Sequence, residues 1–533
     1  MNRWSALAAL LLAFAAALAL RLPNLSARPL HNDEAVNATK VAELYEHGRY
    51  RYDPDEFHGP TLHYFSLPFL WLSGANFGPN GEVTDSQLRL VAVFFGAGII
   101  LLLPLFFDGL SKSAIIWSAI FIATSPAMVF YSRYFIHEML LVFFTVLLLG
   151  SLWRYHQTCS AAWSMLAGAS VGLMYATKET FVITIAALIF AAIGTMWVGR
   201  ARRSARAASV PDTSENQTTE CAQFDPGIRH SHLILFALFA LVIWLLFFSS
   251  FFTNFAGLAD SIRTYLPWLK RAGGHSPHIH PWYFYLERLA WFHPTKSPVW
   301  TEGFILALAI IGAFVAFHRK QPLPMSIAIY TIILTAAYSA ISYKTPWCLL
   351  SFLFGMILLA GIGASALVDK FSNCVARILM TIALLAFTAQ LTHQSCRANF
   401  DPKFLADRRN PYVYSQTVPD LLNLVDKVKS VAAISDHRFE TVVKVIAPGG
   451  DYWPLPWYLR RFKNVGWYEK IPADPYAPIM IVGAELDARF DEKSDKKWIM
   501  VGYTELRPQK FLELYVEAEL WKKYVATLPP SRD

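Results

Sequence analysis

Apolar runs recur along this chain at a spacing that defines most of its architecture. Eleven stretches are apolar enough to span a bilayer as helices: about 4–22, 87–107, 113–131, 136–153, 161–177, 180–198, 231–252, 301–317, 324–342, 346–367 and 376–393. Runs as close as 113–131 and 136–153 leave room only for a tight helical hairpin. Three polar stretches interrupt the series, 23–86, 199–230 and 254–300; the second, rich in Arg, Ser, Thr and Ala, reads as a linker. Beyond about residue 394 the pattern changes: long apolar runs stop and charge rises. There, 431–434, 442–446, 479–482 and 498–501 read as short strands, and 421–428 and 453–462 as helices. Residues 512–525 fit strand or helix equally. The expected fold is a polytopic α-helical membrane domain over 1–393, with about eleven transmembrane helices, and a small α/β domain over 394–533.

Composition agrees. Of 533 residues, 55% are hydrophobic and only 16% charged, against about 25% charged in a soluble protein. The net charge of +8 raises the question of nucleic acid. No base-reading motif accompanies it, and cytoplasmic anchoring charge explains it better. The first run is longer than the apolar core of a cleaved signal peptide and reads as a retained span.

Lys and Arg then set the orientation. With the N-terminus inside, the inner loops carry Lys112, Arg154, Arg200, Arg202, Arg203, Arg206, Arg229, Arg319, Lys320, Lys370 and Arg377. The short outer hairpins carry only Arg133, Lys178 and Lys344. This asymmetry puts 23–86, 254–300 and the C-terminal domain on the extracytoplasmic side of the inner (plasma) membrane. None of the five cysteines forms a CxxC pair, so neither a structural disulfide nor a thiolate metal site is expected.

Candidate chemistry concentrates in the outer loops. His31-Asn32-Asp33-Glu34 follows the first span and precedes a helix-like stretch. Carboxylates at a membrane surface are costly unless they bind or react; the competing reading is that Asn32 or Asp33 is an N-cap. Asp53, Asp55 and Glu56 form a second acidic group, which also fits a solvated turn set by Pro54 and Pro60. Tyr131 and Arg133, Lys178, and Lys344 sit in three separate hairpins. Singly, each cation reads as a snorkelling anchor; together, on the side of the acidic loop, they suit a lipid phosphate. Glu138 and Glu179 stand beside these cations and can simply pair with them. His275, His278 and His280 lie within six residues, but Gly and Pro leave their spacing unfixed for a metal. Trp453 to Arg461 combines aromatics and arginines, which suits carbohydrate stacking or plain core packing.

These residues resemble a family. Asp33-Glu34 just after the first span, the long first outer loop and the many further spans resemble the GT-C membrane glycosyltransferases, which include protein O-mannosyltransferases and aminoarabinose lipid A transferases. His31 to Glu34, Phe57-His58-Gly59-Pro60, Ser132-Arg133-Tyr134 and Trp453 to Arg460 are similar to the prokaryotic family labelled flippase-activity-associated. The resemblance implies a polyprenyl-phosphate sugar donor, inverting transfer on the extracytoplasmic side, and a loop carboxylate as general base. Asp33 matches that carboxylate, with Glu34 supporting it. Arg133, Lys178, Lys344, His58 and Tyr131 are then expected at the donor's lipid phosphate, and Asp53, Asp55 and Glu56 at the acceptor or as secondary carboxylates. The acceptor, whether glycan, lipid or protein, is left open, as is a divalent metal; no residue pattern compels a cofactor. The alternative is a flippase-associated component or transporter that binds the same lipid without chemistry. Repeat symmetry and mid-span charges would favour the transporter, and neither is evident. A third class is an envelope assembly protein.

Overall fold

The protein is described here by a computed structural model covering residues 2–55, 58–77, 83–209, 229–268 and 278–529. Glu56, Phe57, His275 and Cys221 lie outside the described residues.

All eleven apolar runs are helical: Arg3–Arg21, Asp85–Leu102, Lys112–Thr124 with Pro126–Ser132, Glu138–Thr158, Ala161–Tyr175, Phe181–Ser209, His230–Phe248, Gly303–Arg319, Pro322–Ala340, Leu350–Asp369 and Cys374–Phe400. Among the described residues, eight are long and apolar enough to cross a membrane alone, and the pair within 112–132 makes a ninth. The helices Ala161–Tyr175 and Gly303–Arg319 are shorter. The pair is bent by 57°. Pro126 begins its second piece and cannot donate to the preceding turn. The carboxylate of Glu302 repairs the break: it accepts from the Ser125 hydroxyl at 2.6 Å and from the Ala127 N–H at 2.9 Å. Glu302 is fully buried, a cost offset by these bonds.

Helix packing relies on missing side chains at one crossing. A Cβ on Gly312 would come 1.9 Å from the Leu359 carbonyl, and one on Gly363 would come 2.1 Å from that of Leu308. The helices Gly303–Arg319 and Leu350–Asp369 therefore meet backbone to backbone, which only small residues permit.

The chain forms two compact units. The first comprises Met1–Pro23, His47–Phe69 and Arg89–Asn399, and holds most of the membrane helices. The second comprises Asn24–Glu46, Leu70–Leu88 and Phe400–Asp533. Thus parts of the first polar loop, including the start of helix Asn32–His47, pack with the C-terminal residues.

The second unit contains a five-stranded sheet of order β2-β1-β3-β5-β4. The strands are β1 Val443–Ile446, β2 Val465–Tyr468, β3 Ile479–Gly483, β4 Trp498–Arg507 and β5 Lys510–Glu517. β1 runs parallel to β2 and β3, while β5 is antiparallel to β3 and β4. Three local expectations are corrected here. Residues 431–434 are not a strand; they end the helix Asp420–Ile434, whose buried Leu421, Leu424, Val425, Val428, Val431 and Ala432 follow the 3.6-residue period. The expected helix 453–462 shrinks to Leu455–Tyr458, because Pro454 and Pro456 supply no N–H. Residues 512–525 divide into the end of β5 and the helix Ala518–Val525.

Candidate active site

In the membrane unit, the segment after Pro54 is stitched to the turn that follows helix Ala161–Tyr175. Gly59 N–H donates to the Thr177 carbonyl at 3.1 Å, and Thr61 N–H to that of Ala176 at 3.0 Å. The Thr61 hydroxyl reaches the Thr177 hydroxyl at 2.8 Å. A Cβ on Gly59 would stand 2.2 Å from the Ala176 oxygen, so this approach requires glycine.

The stitching brings His58 to Glu179. His58 Nδ1 lies 2.7 Å from Glu179 Oε2, and the Tyr52 hydroxyl donates to Oε1 at 3.5 Å. Glu179 is buried while the His58 side chain is 36% exposed. Burial raises the Glu179 carboxyl pKa, but the charge and hydrogen bond of His58 outweigh it and hold the carboxyl below its usual range. An ionised carboxylate can only accept, so Nδ1 carries the proton. Nε2 is then the nitrogen left to meet a ligand. Behind His58, the His137 ring is 5.2 Å away, edge to face. Its Nε2 is 3.0 Å from the Gly59 carbonyl. A carbonyl can only accept, so His137 donates to it from Nε2.

The expected outer cations are buried and engaged with protein groups. Lys178 forms an ion pair with Glu138, both side chains 5% exposed. Burial opposes the Lys178 charge, but Glu138 overrides it and raises its pKa. Arg133 donates to the carbonyls of Arg21 and Pro23, at 2.6 Å each. Lys344 donates to the carbonyls of His280, at 3.3 Å, and Ile341. The three hairpins do converge: the Tyr134 ring lies 5.9 Å from Trp347, and Lys178 interacts electrostatically with Cys348. Their cations nonetheless serve different acceptors. Tyr131 is fully buried, 6.3 Å from Tyr134. Asp53 accepts the Asp55 N–H at 3.0 Å and so closes a turn. His278 and His280 belong to a short bridge: Lys344 N–H donates to the His278 carbonyl and His280 N–H to that of Ser342. Among the described residues no three His, Cys, Asp or Glu side chains gather as a metal site.

In the second unit, His31 to Glu34 form a reciprocal cap. Glu34 Oε2 accepts the His31 N–H at 2.9 Å, and His31 Nδ1 accepts the Asp33 N–H at 3.2 Å. This is the capping-box geometry at the start of Asn32–His47. Glu34 is fully buried, whereas the Asp33 side chain is 44% exposed. Burial lowers the His31 pKa against the pull of Asp33 and Glu34. Arg507 interacts electrostatically with Asp33, and its guanidinium is 3.4 Å from Asp451. The segment entering the cap is fixed by Tyr458, whose hydroxyl accepts the Leu30 N–H at 2.8 Å and donates to Asp85 at 2.6 Å. Trp457 is core, 1% exposed, with Arg460 3.8 Å over its ring.

His58–Glu179 and Lys178–Glu138 are the arrangements that sequence reading missed as pairs. Glu179 and Glu138 are conspicuous only as carboxylates beside a hairpin cation, and nothing local says which partner each takes.

Known proteins bear on this arrangement in three ways. Residues 57–258 match the family model of dolichyl-phosphate-mannose-protein mannosyltransferases. ArnT from Cupriavidus metallidurans, solved with undecaprenyl phosphate bound, superposes with a TM-score of 0.63 at 14% identity, over 96% of this chain and 98% of that one. The oligosaccharyltransferase of Archaeoglobus fulgidus, tethered to an acceptor peptide, gives 0.53 at 13% identity, over 88% of this chain and 64% of that one. Oligosaccharyltransferase AglB from the same organism, with an inhibitory peptide and a dolichol-phosphate, gives 0.52 at 12% identity, over 98% and 77%. No curated protein matches the chain. The fold is that of the GT-C membrane glycosyltransferases. The chain shares the ArnT fold along nearly its whole length.

Proposed function

We propose that the protein is a glycosyltransferase that moves a sugar from a polyprenyl-phosphate donor to an acceptor on the extracytoplasmic side, with Asp33 as general base. The observation that carries the residue assignment is the division of labour in the cap: Glu34 is buried and committed to the helix end, and its neighbour Asp33 keeps an exposed carboxylate on the first, rigid turn. A carboxylate so held has the positioning that transfer chemistry requires. The likeness to ArnT, whose structure contains undecaprenyl phosphate, supports the donor class.

In the proposed step, Asp33 accepts the proton of an acceptor hydroxyl. The hydroxyl oxygen bonds to the anomeric carbon through an oxocarbenium-like transition state. The bond from that carbon to the phosphate oxygen breaks, and the lipid phosphate leaves with the electron pair and inversion at carbon. A phosphate needs no general acid if donors stabilise its charge. Protonated on both nitrogens, with Nδ1–H braced by Glu179, His58 would present its Nε2–H to the phosphate as a charged donor. Lys178, held by Glu138, and Arg133 and Lys344, held by carbonyls, are each committed to protein acceptors. The excess of Lys and Arg on the other side supports an inner N-terminus and an outer C-terminal unit.

The test is release of lipid phosphate from a polyprenyl-phosphate sugar by purified protein. Asp33→Asn keeps size and most hydrogen bonding but cannot take the proton. Turnover should fall about 10²–10⁴-fold with donor binding unchanged. Wild-type turnover in Asp33→Asn would sink the assignment and shift attention to Asp53, Asp55 and Glu56.

A further inference from the structure

The second unit contains a cleft lined by no residue assigned to the proposed transfer step. It is a cavity of about 290 Å³ beyond the carboxyl ends of β1 and β3, lined by Ala447, Gly483 and Ala484 on that side and by β4 and β5 on the other. The chain leaves β1 toward β2 on one side and leaves the neighbouring β3 toward β4 and β5 on the other. Such a switch point opens a crevice, and ligands of α/β sheets bind there.

The walls select the ligand's chemistry. Lys510 bridges Asp451 at 2.6 Å and Glu485 at 2.9 Å, and Arg507 meets Asp451 at 3.4 Å. Asp451, Glu485 and Lys510 line the cleft, and Arg507, outside the lining, pairs with Asp451, so the four charges sum to zero. A phosphate would face both carboxylates, and a cation would face Lys510. A neutral polyol meets neither penalty, because each hydroxyl both donates and accepts. Gln509 adds an amide to the lining. The remaining wall is aromatic. Tyr503 and Phe511 stack with centroids 5.2 Å apart and planes at 16°, yet they stay 57% and 37% exposed. An exposed, pre-stacked pair beside fixed polar groups offers a flat apolar face to the C–H side of a pyranose.

We propose that this cleft is a carbohydrate-binding site for a neutral sugar of one or two rings. Arg507 joins it to the neighbourhood of Asp33, so on the transferase reading it would hold the glycan of the acceptor. That extension rests on the transferase reading; sugar binding itself does not.

The experiment is saturation-transfer NMR on the full-length protein in detergent. The probes are methyl α-mannopyranoside, methyl β-glucopyranoside and N,N′-diacetylchitobiose. At least one should receive transfer to its ring C–H protons. Tyr503→Ala, an exposed position that folding tolerates, should weaken binding about tenfold. Phe511→Ala should weaken it similarly, Asp451→Asn should weaken it, and excess inorganic phosphate should not compete. Asp33→Asn should leave it intact, which separates this site from the proposed base. The proposal is overturned if no probe binds, if both aromatic variants bind as the wild type does, if phosphate displaces the sugar, or if Asp33→Asn abolishes binding.

Discussion

Replacing Glu179 tests whether the His58 imidazole works as a braced ligand. The carboxylate is 5% exposed and 2.7 Å from Nδ1. A hydrogen bond to a charged group contributes about 1.5–3 kcal/mol, and a neutral one about 0.5–1.5. Glu179→Gln keeps an acceptor of the same shape, so it should cost about 1–1.5 kcal/mol, or about 5–13-fold in affinity for a polyprenyl phosphate. Glu179→Ala loses the bond outright, for about 10–150-fold. The lower half of that range is expected, because His58 is 36% exposed and water can satisfy Nδ1. His58→Ala should weaken binding at least as much. The decisive measurement is the double-mutant cycle by calorimetry on detergent-purified protein. If Glu179 acts through His58, the double alanine variant binds no worse than His58→Ala. Losses that multiply would show that Glu179 acts elsewhere, and unchanged affinity in Glu179→Ala would refute the brace altogether.

Gly59→Ala forces a Cβ onto the Ala176 carbonyl and should cost about 1–3 kcal/mol by overpacking; a normal melting temperature with normal lipid-phosphate binding would show that the two backbones separate freely. Because burial holds the His31 pKa down, the unfolded chain takes a proton near pH 6.5 that the folded one refuses. Stability is therefore full above that pH and falls by up to about 1.4 kcal/mol per unit below it. His31→Asn should flatten the melting-temperature profile between about pH 7.5 and 5, and an unchanged slope would assign it to other groups. Tyr458→Phe strands the Leu30 N–H at a cost of about 1–3 kcal/mol; hydrogen exchange at Leu30 should accelerate, and wild-type protection there would contradict the role given to this hydroxyl.

The sequence by itself determined the parts governed by local statistics. The eleven apolar runs all became helical, one of them as a bent pair, because hydrophobic length is a property of a contiguous segment and lipid demands a helix. Strands β1, β3 and the start of β4 were legible as β-branched runs between polar stretches. Asp33 stood out because it follows a span directly. Where local signals competed, the tertiary structure chose: 431–434 joined a helix because its buried stripe continues from Leu421, and β2, only half-buried, had no alternation to announce it. Pairing was invisible. His58 and Glu179 are 121 residues apart, and Tyr458 and Asp85 are 373 apart. Which buried charge meets which partner depends on how helices pack, and Gly59 fixes that through an absent side chain. The same logic separates Asp33 from Glu34. Adjacent and chemically alike in the chain, they differ because one side chain turns back to the helix end and is buried, and the other is left in the open.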